Sequence, residues 1–176
     1  MTTDDTTWAA ITDRPIDVAA VVDWCGTPGT GAVDVFCGTV RDHAEGRSGI
    51  VRLDYEAHPT RAEPLLARVA DRARRRWPVI ERVALVHRTG SLMLGETAVV
   101  VAVSTPHRPE AFAATRWCID AIKATVPIWK YEVWEGGEGW GTCSHDLVEL
   151  DDWEQTAHHD EAHHDEAPAT LVSVER

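Results

Sequence analysis

Only two of the 17 basic residues in this 176-residue chain are lysines, Lys123 and Lys130, and both fall within one eight-residue window. Arginine serves everywhere else, so the two lysines raise the question of what arginine could not do there. A desolvated lysine can lose its proton and act as a base or nucleophile, which an arginine effectively cannot. Upstream stands Ser104-Thr105-Pro106-His107-Arg108-Pro109, which reads as a helix start. Free N–H groups and the positive end of the dipole favour an anion there. Arg41, closing the run Gly38-Thr39-Val40-Arg41, adds a cation on a loop. Two lysines, two arginines and a histidine suit a small, multiply anionic substrate. His43, His58 and His87 lack metal-ligand spacing and read as structural or surface residues. Cys25, Cys37, Cys118 and Cys143 form no C-x-x-C pair, so they read as reduced, buried small apolar residues.

The elements that must position these groups follow from periodicity. Pro15 to Trp24 reads as a short helix, Ala32 to Val40 as a strand and Arg41 to Gly49 as an exposed loop. Ile50 to Glu56 is a strand and Pro59 to Trp77 a helix, whose Arg68, Arg72, Arg74, Arg75 and Arg76 read as a solvated face. Glu81 to His87 is a strand, Gly90 to Gly95 a turn, and Thr97 to Ser104 a valine-rich central strand. Pro109 to Val126 is the last long helix, Ile128 to Trp134 a closing strand, and Gly136 to Gly141 a loop. On the last helix, with Phe112 at 0°, Ile119 falls near about -20° and Lys123 near about +20°, so Lys123 is expected on the apolar face. On the closing strand Lys130 and Glu132 share one face, opposite Tyr131. The order, mixing strand pairs with helices, is that of an α+β fold.

The net charge of -12 argues against nucleic acid as a partner, and no apolar run is long enough to span a membrane. Residues 151–176 hold eight acids and one arginine, and repeat His-His-Asp-Glu-Ala. They read as a disordered acidic tail. Residues 1–14 read as a mobile lead without the features of a signal peptide, which implies a cytoplasmic protein. One domain, residues 15–150, lies between them.

The run Gly31-Ala32-Val33 through Phe36, Gly38 and Val40-Arg41 resembles the opening motif of the large, catalytic subunit of molybdopterin synthase. So do Arg74 to Pro78, Val86-His87-Arg88-Thr89-Gly90 with Gly95-Glu96, and Ser104 to Arg108. The block Lys123 to Pro127 followed by Ile128-Trp129-Lys130-Tyr131-Glu132 is the most specific. The motifs keep the family's order across residues 15–140. Thr39 and Tyr131 stand where the family often carries a basic residue, which leaves them backbone contacts; Ser91 stands where an acid is usual.

The resemblance implies an α/β-hammerhead fold with about three helices. It implies a homodimer forming the core of a heterotetramer, with a small ubiquitin-like sulfur-carrier subunit at each end. The carrier's C-terminal Gly-Gly thiocarboxylate would supply the two dithiolene sulfurs that convert cyclic pyranopterin monophosphate to molybdopterin. No cofactor or metal is implied for this step. Lys123 and Lys130 would be catalytic, and Thr39, Val40, Arg41, His107, Arg108, Tyr131 and Glu132 would join them in binding substrate. Two other classes fit the residues: an enzyme using Lys123 as a Schiff base, and a non-catalytic adaptor for a ubiquitin-like protein.

Overall fold

The computed structural model describes residues 2–44, 46–141 and 147–162. In chain order the strands are β1 (Thr2–Thr3), β2 (Thr7–Thr12), β3 (Ala32–Thr39), β4 (His43–Ala44), β5 (Arg47–Ser48), β6 (Ile50–Ala57), β7 (Arg82–Arg88), β8 (Gly90–Met93), β9 (Thr97–Thr105), β10 (Ile128–Trp134) and β11 (Gly137–Trp140). The helices are α1 (Val18–Cys25), α2 (Ala62–Arg76), α3 (Arg108–Thr125) and α4 (Leu150–Ala162). The α+β class expected from the sequence is what forms, with four helices among the described residues.

Two sheets divide the work. The first has the order β1-β2-β7-β9-β3 and the second β11-β10-β6-β8, while β4 and β5 form a separate small hairpin. Strand β9 sits inside the first sheet and is buried on both faces, which explains its unbroken apolar run. Val101 and Val103 face α2 and α3, packing with Leu66, Val69, Cys118 and Ile122. Val100 and Ala102 face the opposite side, where α1 supplies Val21 and Cys25. A third cluster, with Ile50, Leu53 and Leu92, fills the second sheet.

Local chemistry sets the helix ends. The Asp17 carboxylate accepts from the Ala20 amide at 3.0 Å, so α1 begins after Asp17 rather than at Pro15. Residues before Pro78 and Pro127 leave the helical region, and α2 and α3 stop there.

Several expectations are corrected. Residues 7–12, expected within a mobile lead, form β2, which runs parallel to β7 in the register Thr7 to Val83 through Thr12 to Arg88. A partner 76 positions away leaves no local trace. The loop after Arg41 contains the β4–β5 hairpin. The glycine-bounded turns at 90–95 and 136–141 contain edge strands β8 and β11; Gly90 and Gly95, with φ of 86° and 81°, carry the reversals on either side of β8.

The acidic segment expected to be disordered begins as α4. Leu150 is fully buried, and Trp153 packs edge-on against Trp117, which packs edge-on against Trp77. The arginine face of α2 is therefore partly covered: Arg72 pairs with Asp151 and lies 3.1 Å from Glu154, and Arg61 lies 3.5 Å from Glu149. The second His-His-Asp-Glu-Ala repeat and Cys143 lie outside the described residues. Cys25 and Cys118 are buried as expected, whereas Cys37, on the edge strand β3, is exposed. No helix among the described residues is long and apolar enough to cross a membrane.

Candidate active site

Strand β10 carries the best-defined part of the site. Lys130 Nζ lies 2.9 Å from Glu132 Oε1, and Arg47 Nη1 donates to Glu132 Oε2 at 2.8 Å. The Glu132 side chain has no exposed surface. The Lys130 ammonium and the buried Glu132 carboxylate therefore stand as a close ion pair. Burial pushes the Glu132 carboxyl up, but the close contacts and charges of Lys130 and Arg47 outweigh it and hold the group below its ordinary value. Tyr55, the cross-strand neighbour of Lys130 on β6, has its phenol pushed up to about 12 by burial and by the Glu132 charge. Tyr131 faces the other way and packs edge-on against Trp140 at 5.3 Å. Gly141 closes over the lysine: its amide donates to the Lys130 carbonyl at 2.9 Å.

Lys123 is exposed, in the last turn of α3. This corrects the expectation that it leaves from the apolar face. Phe112 is 57% exposed, and the buried stripe runs through Ala114, Cys118, Ala121 and Thr125 on the opposite side of the helix. The size of Phe112 therefore does not mark the buried face. Lys123 and Lys130 flank the Pro127 corner.

Arg41 follows β3. Its Nε donates to the His43 carbonyl at 3.0 Å, which ties it to the β4–β5 hairpin. Thr39 pairs with Thr97 after a register shift at Gly38. Val40 is buried, with its amide given to the Glu96 carbonyl at 3.0 Å and its carbonyl accepting from Gly95 at 2.8 Å. Its N–H is therefore committed within the chain.

His107 caps α3 and Arg108 begins it, both exposed. Among the described residues neither side chain, nor that of Lys123, has a hydrogen bond or ion pair. Gly31 positions this corner: its amide donates to the Thr105 carbonyl at 3.0 Å, and a β-carbon on it would lie 2.1 Å from the Pro106 oxygen. Strand β3 pairs antiparallel with β9, Ala32 opposite Thr105 and Thr39 opposite Thr97. Helix α3 leaves β9 at Thr105 and packs back along both strands. Its end therefore returns toward Thr39 and Arg41. At about 1.5 Å per residue, Arg108 and Lys123 are about 22 Å apart along the axis. Within one chain the Lys123 end of α3 thus lies toward Arg41, while His107 and Arg108 lie at the other end of the helix.

Sequence reasoning missed Arg47, Tyr55 and Gly141. Arg47 gave no local signal, because its partner Glu132 is 85 positions away. A cleft of about 370 Å³ lies elsewhere, lined by Ile11, His58, Thr60, Glu63 and Thr89 among others, and holds none of the predicted residues. His87 is buried and neutral: burial pulls its imidazole down to about 4, and Nδ1 faces the Arg88 carbonyl at 2.8 Å.

A two-sheet α+β domain with an exposed lysine, a carboxylate-held lysine and a cationic helix start is the kind of framework that handles an anionic reactant. Residues 11–125 match the family described as MoaE protein, and the chain belongs to that family. It is 46% identical over 131 residues to a molybdopterin synthase catalytic subunit of Halalkalibacterium halodurans, covering 74% of this chain and 83% of that one. Among solved structures, a molybdopterin synthase from Staphylococcus aureus aligns with a TM-score of 0.71 and 37% identity, covering 79% of this chain and 98% of that one. A Helicobacter pylori complex of subunits 1 and 2 of molybdopterin-converting factor is alike in fold alone, with a TM-score of 0.60 and 19% identity over 77% of this chain and 90% of that one.

Proposed function

We propose that this chain is the catalytic subunit of a cytoplasmic molybdopterin synthase. It converts cyclic pyranopterin monophosphate to molybdopterin, taking two sulfurs from the thiocarboxylated C-terminus of a small ubiquitin-like carrier subunit. Each carrier leaves as a carboxylate, with its sulfur exchanged for oxygen, and two are used per product.

The observation that carries this reading is the set of unpaired cations on a family framework: Lys123, His107 and Arg108 have no partner among the described residues, and Lys130 is held on a buried carboxylate. Their separation along α3 supports a site completed by a second copy. His107 and Arg108 of one protomer bind the phosphate and pterin, and the Arg41, Lys123 and Lys130 end of the other performs the transfer. Lys123 is the acid/base, or the amine that assists departure from the thiocarboxylate. Lys130 stabilises the anionic intermediate or the carrier's carboxylate. Thr39 and Tyr131 contribute backbone contacts, and Glu132 orients Lys130. The assembly is a homodimer with a carrier at each end.

The test is reconstitution of the full chain with thiocarboxylated carrier and the cyclic pterin, assayed for dithiolene. Dithiolene formation with stoichiometric loss of thiocarboxylate is the expected result. Carrier binding without turnover would make the chain an adaptor. A borohydride-trapped adduct on Lys123 would make it a Schiff-base enzyme.

A further inference from the structure

Arg47 belongs to none of the groups assigned above, yet it is the most tightly engaged cation near Lys130. Its Nη1 donates to Glu132 Oε2 at 2.8 Å and to the Trp140 carbonyl at 2.9 Å, and its guanidinium lies 4.6 Å over the Trp134 ring. It is fixed by β10 and β11 while standing on β5. The same hairpin holds Arg41, through the His43 carbonyl. Arg47 is thus the link between the strand that carries Lys130 and the hairpin that holds Arg41.

We propose that Arg47 is a positioning residue for Lys130, holding Glu132 so that the lysine's charge stays available to an anionic reactant. The inference rests on the function proposed above and adds a residue to its site. Charge bookkeeping gives the reason. A fully buried carboxylate needs a counter-ion. With Arg47 bound to Oε2, that need is met by a planar, permanently charged donor, and the group Arg47–Glu132–Lys130 carries a net positive charge. Lys130 sits 2.9 Å from Oε1 and stays partly exposed; its ammonium has three N–H donors, so those not turned to Glu132 are free for a ligand. Without Arg47, Lys130 becomes the sole counter-ion of a buried carboxylate. It is then drawn into a closed neutral pair, and its charge is lost to the reactant.

The test compares Arg47→Met, which keeps the stem and removes the charge, with Arg47→Lys, in the reconstituted complex. Arg47→Met is expected to lower kcat by about 10-fold to 100-fold with a smaller change in KM for the cyclic pterin. Arg47→Lys is expected to recover most of that loss. In a Glu132→Gln background, where there is no carboxylate charge to hold, Arg47→Met should cost less than about twofold further. The chain has only two lysines, so lysine labelled at 13Cε gives two assignable signals: that of Lys130 should move in Arg47→Met while that of Lys123 stays. Additive losses in the double variant, an unmoved Lys130 signal, or full kcat in Arg47→Met would overturn the proposal. If wild type makes no dithiolene, the function proposed above fails, and the Lys130 signal still decides the role of Arg47. If Arg47→Met does not fold, Arg47→Gln takes its place: kcat well below wild type with Lys130 displaced, and recovery of both in Arg47→Lys, supports the link, while kcat and the Lys130 signal unchanged in Arg47→Gln refute it.

Discussion

A β-carbon placed on Gly141 would stand 2.7 Å from Cε and 2.9 Å from Cγ of Lys130, and 3.0 Å from Glu132 Oε1. The glycine therefore sets where the lysine side chain lies. Gly141→Ala meets a flexible side chain rather than backbone, so the chain should fold and Lys130 should move. Turnover is expected to fall by about tenfold or more, while melting changes little. Full activity in a folded Gly141→Ala protein would show that the observed Lys130 position is not the working one.

Lys123 is exposed and has no partner among the described residues, so replacing it should cost little stability, within about 0.5 kcal/mol. Lys123→Ala should nearly abolish dithiolene formation. Lys123→Arg should fail as well, because it keeps charge without an accessible neutral amine. Thermal melts beside single-turnover assays check both halves, and near-normal rates in the arginine variant would reduce Lys123 to an electrostatic contact.

His107→Ala and Arg108→Ala should weaken binding of the cyclic pterin more than binding of the carrier. Their distance from Lys123 gives a sharper test. If the site spans two copies, inactive Arg108→Ala and inactive Lys123→Ala proteins, mixed and allowed to exchange protomers, regain activity, because one site of each mixed dimer is intact. No recovery after proven exchange would place the whole site in one chain.

His87 makes stability depend on pH. Its folded value, about 4, lies below the ordinary 6.5. The unfolded chain therefore takes up a proton first as pH falls, and folding loses free energy through that window. Full stability from this group is present above about pH 6.5, and about 3 kcal/mol should be lost by pH 4. Denaturant titrations at several pH values measure the slope, and His87→Gln should flatten it. An unchanged slope would mean that other groups dominate.

Helix α4 predicts opposite outcomes for two truncations. Ending the chain after Leu150 removes Trp153 from Trp117 and the acids that face Arg72, and should lower stability by about 1–3 kcal/mol. Ending it after Ala162 should leave melting and turnover unchanged. Equal melting temperatures for the two would show that α4 contributes nothing in solution.

Elements whose identity is decided locally were legible from sequence. β9 declares itself by a run of valines buried on both faces, and α2 and α3 by their spacing and by the prolines that stop them. β2, β8 and β11 were not legible, because pairing at long range or at a sheet edge makes them strands while their own residues read as lead or turn. The same division runs through the site. Lys130 and Glu132 are two positions apart on one strand, and their shared face followed from alternation. Arg47 reaches Glu132 only through the fold. The exposure of Lys123 is not legible in the sequence, because a helical wheel gives angles but not the direction of the sheet.

Lysine scarcity has a practical side. Lys123 is open to solvent, Lys130 retains 27% of its side-chain surface, and the sequence holds no other side-chain amine. Acylation, reductive methylation, amine-directed cross-linking and attachment to activated resins can therefore reach lysine on this chain only at its two proposed catalytic positions. If both lysines act as proposed, routine amine labelling inactivates the protein rather than tagging it, and the exposed Cys37 is the safer handle. Conversely, the rate at which a mild acylating reagent consumes each lysine, with and without carrier bound, reports directly on how far the carrier's tail covers them.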